Sequence, residues 1–191
     1  MRSATQTRTT KETNIQLTVC LDGGNIAVNT GIGFFDHMLT AFAMHGNFGL
    51  EASVQGDLHV DCHHTVEDTG IVLGKAFAQA LGDKSGIARF GNFFVPMDEA
   101  LAFCAVDVSG RAFLGFTGEF AQAQVGDYES CMTEEFFRAF CTQAGITMHL
   151  KLEYGKNTHH ATEALFKAAA HALRLACTQS GTQVLSTKGV L

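Results

Sequence analysis

The hydrophobic positions of this chain fall into two rounds of one pattern. In the first round an apolar helical stretch runs His37-Met38-Leu39-Thr40-Ala41-Phe42 and reaches Gly46. A short alternating strand follows from Leu50 to Val54, and then a helix rich in Ala, Leu and Phe from Val66 to Leu81. In the second round the stretch Glu135-Phe136-Phe137-Arg138-Ala139-Phe140 reaches Gly145, a strand spans Ile146 to Leu152, and a helix runs from Thr162 to Ala176. Hairpin signals precede each round, Leu21-Asp22-Gly23-Gly24-Asn25 and Val108-Ser109-Gly110-Arg111. The pattern predicts an internal duplication of strand-helix-strand-helix halves, with the seam at Gly86-Ile87-Ala88-Arg89. Residues 1–86 and 87–191 would be the two halves of one catalytic domain. The predicted fold class is α+β: two small, mostly antiparallel sheets with the helices packed between them. Gly70 and Gly74 lie inside the first long helix. Each weakens a helix by roughly 1 kcal/mol relative to Ala, so close packing against a neighbouring helix is expected there.

Composition narrows the function classes. At 46% hydrophobic and 17% charged residues the chain is built to fold. The net charge of −6 gives no bias towards nucleic acid or anionic membrane, so basic contacts to any anionic substrate must be local. No apolar run is long enough for a membrane span. The Thr-rich polar start has no apolar core of a secretory signal, and the six cysteines include no Cys-x-x-Cys pair. Reduced thiols in a cytoplasmic protein are expected.

The histidines carry the chemistry. His63-His64-Thr65-Val66-Glu67 and His159-His160-Ala161-Thr162-Glu163 repeat the pattern His-His-x-x-Glu half a chain apart, each at the opening of a predicted helix. On a helix, residues four apart share a face, so His63 with Glu67, and His159 with Glu163, can each chelate one ion. His64 and His160 point about a hundred degrees away and, by pseudo-two-fold symmetry, would serve the other half's ion. Aligning the two earlier helices sets His37 opposite Glu135. Two sites are thereby predicted, one from His37, His64, His159 and Glu163, the other from His63, Glu67, Glu135 and His160. Imidazole and carboxylate without thiolate suit Mn, Fe or Zn. His45, His59, His149 and His171 are read as ordinary surface or core histidines, and Cys62 as a bystander thiol.

Several ordered stretches resemble the imidazoleglycerol-phosphate dehydratase family: Gly33-Phe34-Phe35-Asp36-His37-Met38-Leu39, Gly56 to Asp68 around the first motif, Gly86 to Gly91, Pro96-Met97-Asp98-Glu99-Ala100-Leu101, Asn157 to Lys167 around the second motif, and Ser186 to Leu191. The resemblance runs from about Arg8 to the end. It implies a fold of the ribosomal protein S5 domain 2-like type, loss of water from imidazoleglycerol phosphate to give imidazole acetol phosphate, and two Mn²⁺ per subunit. It further implies a homo-24-mer with active sites between subunits, and it agrees with the ligand sets above. By the same resemblance Glu12 is the acid–base group, with His64 and Glu163 also catalytic, and Arg89, Arg111, Lys167, Ser186 and Lys188 bind the substrate with Glu12. Three positions depart from the common pattern: Glu135 stands where His is usual, Phe35 where Leu is, and Cys62 where Asp is. Glu135 remains a competent oxygen ligand.

Chemically, the proton to be lost is not next to a carbonyl, so the substrate's imidazole must take up electron density, for which Lewis-acid ions are suited. Competing readings are another di-metal enzyme and a non-catalytic metal store. The order His-x-x-x-Glu, with strands between helices, argues against a ferritin-like bundle.

Overall fold

The computed structural model describes residues 1–189; Val190 and Leu191, the last two residues of the terminal stretch in the resemblance, lie outside the described residues. The first half consists of β1 (Ser3–Thr9), β2 (Thr13–Cys20), β3 (Ile26–Asn29), α1 (Gly33–Gly46), β4 (Gly49–Gly56) and α2 (His63–Leu81). The second repeats it with β5 (Phe90–Met97), β6 (Ala100–Asp107), β7 (Phe113–Thr117), a small hairpin β8 (Gln124–Val125) and β9 (Tyr128–Glu129), then α3 (Met132–Ala144), β10 (Thr147–Tyr154) and α4 (Thr158–Cys177).

Each half makes a four-stranded sheet, ordered β1-β2-β4-β3 and β5-β6-β10-β7. The first three strands of each are antiparallel, and the fourth joins in parallel. The two Gly-containing turns at 21–25 and 108–111 are therefore not hairpins. β4 and β10 occupy the places beside β2 and β6, with Cys20 opposite Gly49 and Asp107 opposite Thr147, so β3 and β7 pair in parallel on the far edge. The tight hairpins are β1–β2, turning at Thr10–Glu12, and β5–β6, turning at Asp98–Glu99.

Alternation sets the buried face of each sheet. Ile15, Leu17 and Val19 of β2 and Ala102, Cys104 and Val106 of β6 point inward. α2 covers the first sheet and α4 the second, while α2 packs on α3 and α1 on α4 between the sheets. The helices thus exchange partners across the duplication. Edge-to-face rings join the layers, for example Phe77 with Phe140 at 5.4 Å and Phe35 with Phe136 at 5.4 Å. A Cβ on Gly70 would lie 2.7 Å from the Phe136 carbonyl oxygen, and one on Gly74 2.6 Å from that of Phe140. The two glycines let α3 approach to backbone contact, which is the close packing the sequence calls for. Left-handed residues end the early helices at equivalent places, Asn47 (φ 55°) after α1 and Gly145 (φ 65°) after α3.

Candidate metal centre and active site

The exchange of helix partners brings His37 of α1 to the start of α4. Glu163 Oε2 lies 3.6 Å from His37 Nε2 and 3.4 Å from His159 Nε2. All three ligand atoms fall within 4.8 Å of one another, and among the described residues no other such group forms. The distances are long for hydrogen bonds and close to the spacing of donors that each sit about 2.1 Å from one shared ion. Glu163 is buried, and Lys167 Nζ holds its other oxygen at 2.8 Å. Burial pushes the Glu163 carboxyl up, but Lys167, His37 and His159 outweigh it and leave the group below its ordinary value. Phe34 walls the cluster, its ring 4.9 Å from that of His159.

The helix starts aim the motif. The Asn157 side chain accepts from the backbone N–H of His159 and His160, and Asp61 accepts from that of His63 at 2.8 Å.

The second predicted set is brought together only in part. His63 Nε2 lies 3.7 Å from Glu67 Oε2 on α2. Glu135 instead faces Arg138 of its own helix at 3.7 Å, and His160 lies against Glu99.

His64 does not join the His37 cluster of its own chain. Its Nδ1 donates to Asp57 at 3.0 Å, and its Nε2 lies 3.8 Å from the carboxylate of Glu12. His160 repeats this arrangement, with Nδ1 donating to Glu99 at 2.8 Å and Nε2 lying 3.5 Å from Asp98. A carboxylate can only accept, so in both rings the neutral tautomer keeps its proton on Nδ1 and a free lone pair on Nε2. Asp57 raises His64 and Glu99 raises His160 above the ordinary imidazole value, and His160 in return helps hold Glu99 down to about 2. Asp57 and Glu99 stand in quoted motifs but received no role from the sequence. The signal was there, since ligating histidines commonly give their second nitrogen to a carboxylate.

Of the basic and hydroxyl candidates, Arg89, Arg111, Ser186 and Lys188 line one open depression with Phe90 and residues 184–187. Arg89 is fixed there by Asp107 at 2.7 Å and by the Leu185 carbonyl at 2.7 Å, while Arg111 is mostly exposed and 3.3 Å from the same Asp107. Lys167 is not in this group; it stands beside Glu163 and Met97 on α4. Of the histidines read as ordinary, His45 and His171 form a pair, Nδ1 to Nε2, at 3.1 Å. Cys62 is buried at the start of α2, and burial pushes its thiol up.

A family model described as imidazoleglycerol-phosphate dehydratase matches residues 30–173. The chain belongs to the imidazoleglycerol-phosphate dehydratase family. Proteins of that name from Bacillus thuringiensis (strain Al Hakam) and Bacillus anthracis are each 54% identical to it over 194 residues, covering all of both chains. The crystal structure of imidazoleglycerol-phosphate dehydratase from Staphylococcus aureus matches with a TM-score of 0.86 at 39% identity, covering 93% of this chain and 99% of that one. That of the Pyrococcus furiosus protein in complex with (S)-C348 matches with a TM-score of 0.85 at 36% identity, covering 97% and 100%. As a member of this dehydratase family the chain is a hydro-lyase that performs a dehydration in histidine biosynthesis. Among the described residues no helix is long and apolar enough to cross a membrane.

Proposed function

We propose that this dehydratase converts imidazoleglycerol phosphate to imidazole acetol phosphate, in the cytoplasm, with two Mn²⁺ per subunit and in a homo-24-mer whose active sites lie between subunits. The observation that carries the metal reading is the His37–His159–Glu163 cluster, three convergent N and O donors with no thiolate, which fits manganese. His63 and Glu67 begin the second site, with Glu135 able to turn from Arg138. The placement of His64 and His160 supports assembly. Each has a tautomer set for ligation, yet His64 stands apart from its own chain's cluster, so ligands donated to a neighbouring copy would complete both sites.

When bound, the ions would supply Lewis-acid stabilisation of the substrate's imidazole as its ring gains electron density. The chain's own residues do the rest. Asp57 and Glu99 fix the tautomers of His64 and His160. Arg89, Arg111, Ser186 and Lys188 hold the phosphate, with the planar guanidinium groups suited to paired contacts with its oxygens. Glu12, half exposed and facing His64, moves the protons: it gives one to the leaving hydroxyl and takes one from the carbinol carbon, and the enol so formed becomes the ketone by moving its hydroxyl proton to the carbon beside the ring.

Turnover of imidazoleglycerol phosphate by metal-stripped protein, before and after Mn²⁺ is added back, tests the reading. Imidazole acetol phosphate formed only after addition, by particles whose native mass equals 24 chains, is the expected result. Uptake of two ions without turnover would reduce the centre to a metal store.

A further inference from the structure

The duplication gives each residue of one half a counterpart in the other. Counting outward from the paired strands β2–β4 and β6–β10, Thr13 corresponds to Ala100; across each hairpin, Arg8 corresponds to Val95. The motif helices set Asp68 opposite Ala164, and the hairpin turns set Glu12 opposite Glu99. In the second half all three positions are buried aliphatics: Val95, Ala100 and Ala164. In the first half the same place holds a buried carboxylate. Asp68 Oδ2 accepts from the Thr13 hydroxyl, and Asp68 Oδ1 lies 2.9 Å from Arg8 Nε. Burying a charge is unfavourable unless it is paired, and apolar replacements of buried ion pairs are often neutral or stabilising. The second half shows that the fold itself has no need of this cluster.

The two turn acids explain its presence. Glu99 is held directly: its carboxylate accepts from Lys156 N–H, Asn157 N–H and His160 Nδ1. The Glu12 carboxylate accepts no hydrogen bond among the described residues, so only its backbone can be fixed. That backbone is tied at both stems. Arg8 leaves β1 just before the turn and Thr13 enters β2 just after it, and both reach Asp68, one helical turn beyond His64 on α2. The Thr10 hydroxyl closes the turn by accepting from the N–H groups of Glu12 and Thr13. We propose that Arg8, Thr13 and Asp68 form a positioning cluster that clamps the Glu12 turn onto α2 and so sets Glu12 in register with His64. This rests on the acid–base role given to Glu12 above. The clamp leaves the carboxylate itself unbonded and available, which direct hydrogen bonds of the kind Glu99 makes would not.

The test moves the second half's solution into the first: Arg8→Val, Thr13→Ala and Asp68→Ala together, with Thr13→Ala and Thr13→Ser as milder single variants. Expected for the triple variant and, more weakly, for Thr13→Ala are faster amide exchange at residues 10–13 and unchanged manganese content. In the triple variant kcat should fall roughly 10-fold to 100-fold, the scale of a misplaced reacting group, with little change in KM. Thr13→Ser keeps the hydroxyl and should show native exchange at residues 10–13. Adding the triple change to Glu12→Gln should cost nothing further, because the cluster acts through that residue. Unchanged exchange at residues 10–13 in Thr13→Ala would overturn the clamp, as would a triple variant that folds and keeps its kcat. If Glu12→Gln alone keeps full turnover, the acid–base role falls, while faster exchange in Thr13→Ala would still uphold the clamp.

Discussion

In the first half the motif residue His64 gives Nδ1 to Asp57 and turns Nε2 towards Glu12; in the second, His160 gives Nδ1 to Glu99, the counterpart of Glu12, and turns Nε2 towards Asp98. The difference begins in a loop. Between β4 and α2 the chain spends residues 57–62 and places Asp57 under the imidazole, whereas between β10 and α4 it has only residues 155–157 and no acid to offer. The turn acid must then do the supporting work in the second half and is spared it in the first. Duplication has supplied two equivalent carboxylates, one of which holds an imidazole while the other stays unbonded, as the acid–base role proposed for Glu12 requires.

The largest expected effects would break or confirm this division. Glu12→Gln should lower kcat by roughly 10²–10⁴, with manganese content unchanged, if it moves protons in the reaction. Glu99→Gln should act through His160 instead, weakening manganese binding roughly 10–100-fold, with kcat recovering as Mn²⁺ is raised. Steady-state kinetics across a manganese titration separates the two. If Glu99→Gln kept a low kcat at saturating Mn²⁺, the two acids would share one role and the comparison would fail.

The duplicated helices and the His-His-x-x-Glu motif were legible in the sequence because both are local. A period of 3.6 places His159 and Glu163 on one face without reference to anything else, and the same period marks the apolar faces of all four helices. Aligning the two halves set His37 opposite Glu135, but which motif helix His37 meets is decided by the packing of α1 on α4. What the pattern left open depends on strand order. Gly23, Gly24 and Gly110 mark turns, but a turn does not say that β4 and β10 will lie beside β2 and β6 and leave β3 and β7 to pair in parallel. For the same reason the partners of Glu99 and Asp68 could not be read, since each contact forms only when a hairpin folds over a helix. Asp57 differs, because its contact with His64 lies within one loop and the helix it leads into. Glu135 shows the limit from the other side: its alignment with His37 was legible, but whether its side chain faces an ion or Arg138 depends on charges near it in space.

A smaller effect sharpens the comparison in the core. Gly74 of α2 corresponds to Ala170 of α4, so one half tolerates a methyl group where the other does not. A Cβ on Gly74 would lie 2.6 Å from the Phe140 oxygen and 2.8 Å from Gln143 Cβ. Gly74→Ala gains roughly 1 kcal/mol of helix propensity, but overpacking against backbone should remove about 1–3 kcal/mol. The net outcome in thermal unfolding is a lower Tm. A raised Tm would mean that α2 and α3 have room to part, and that the glycines are not what sets their separation.

The smallest effect concerns the helix pair that carries the His37 cluster. His45 near the end of α1 and His171 on α4 are hydrogen-bonded at 3.1 Å, and His171 stacks on Phe93 at 4.4 Å between ring centres. Their counterparts between α3 and α2 are Gln143 and Lys75, neither of them an imidazole. Burial pushes both imidazoles below the ordinary value; the nearby Lys167 acts the same way on both, as does Arg174 on His171, while Glu163 opposes on His45. With folded values lowered, the unfolded chain binds the extra protons first. Stability from this pair is therefore present above the ordinary pKa of about 6.5 and is lost as pH falls through the folded values. His64 and His160 work in the opposite sense, since carboxylates raise them, so the absolute slope of Tm against pH mixes both signs. The informative quantity is the difference between the native protein and His45→Gln/His171→Lys, both metal-free. Between pH 7 and pH 5, on the order of the imidazole range, the native protein should lose more Tm than the variant. Equal slopes would show that the pair is already solvated enough to accept a proton in place, and that the packing of α1 on α4 does not depend on its being neutral.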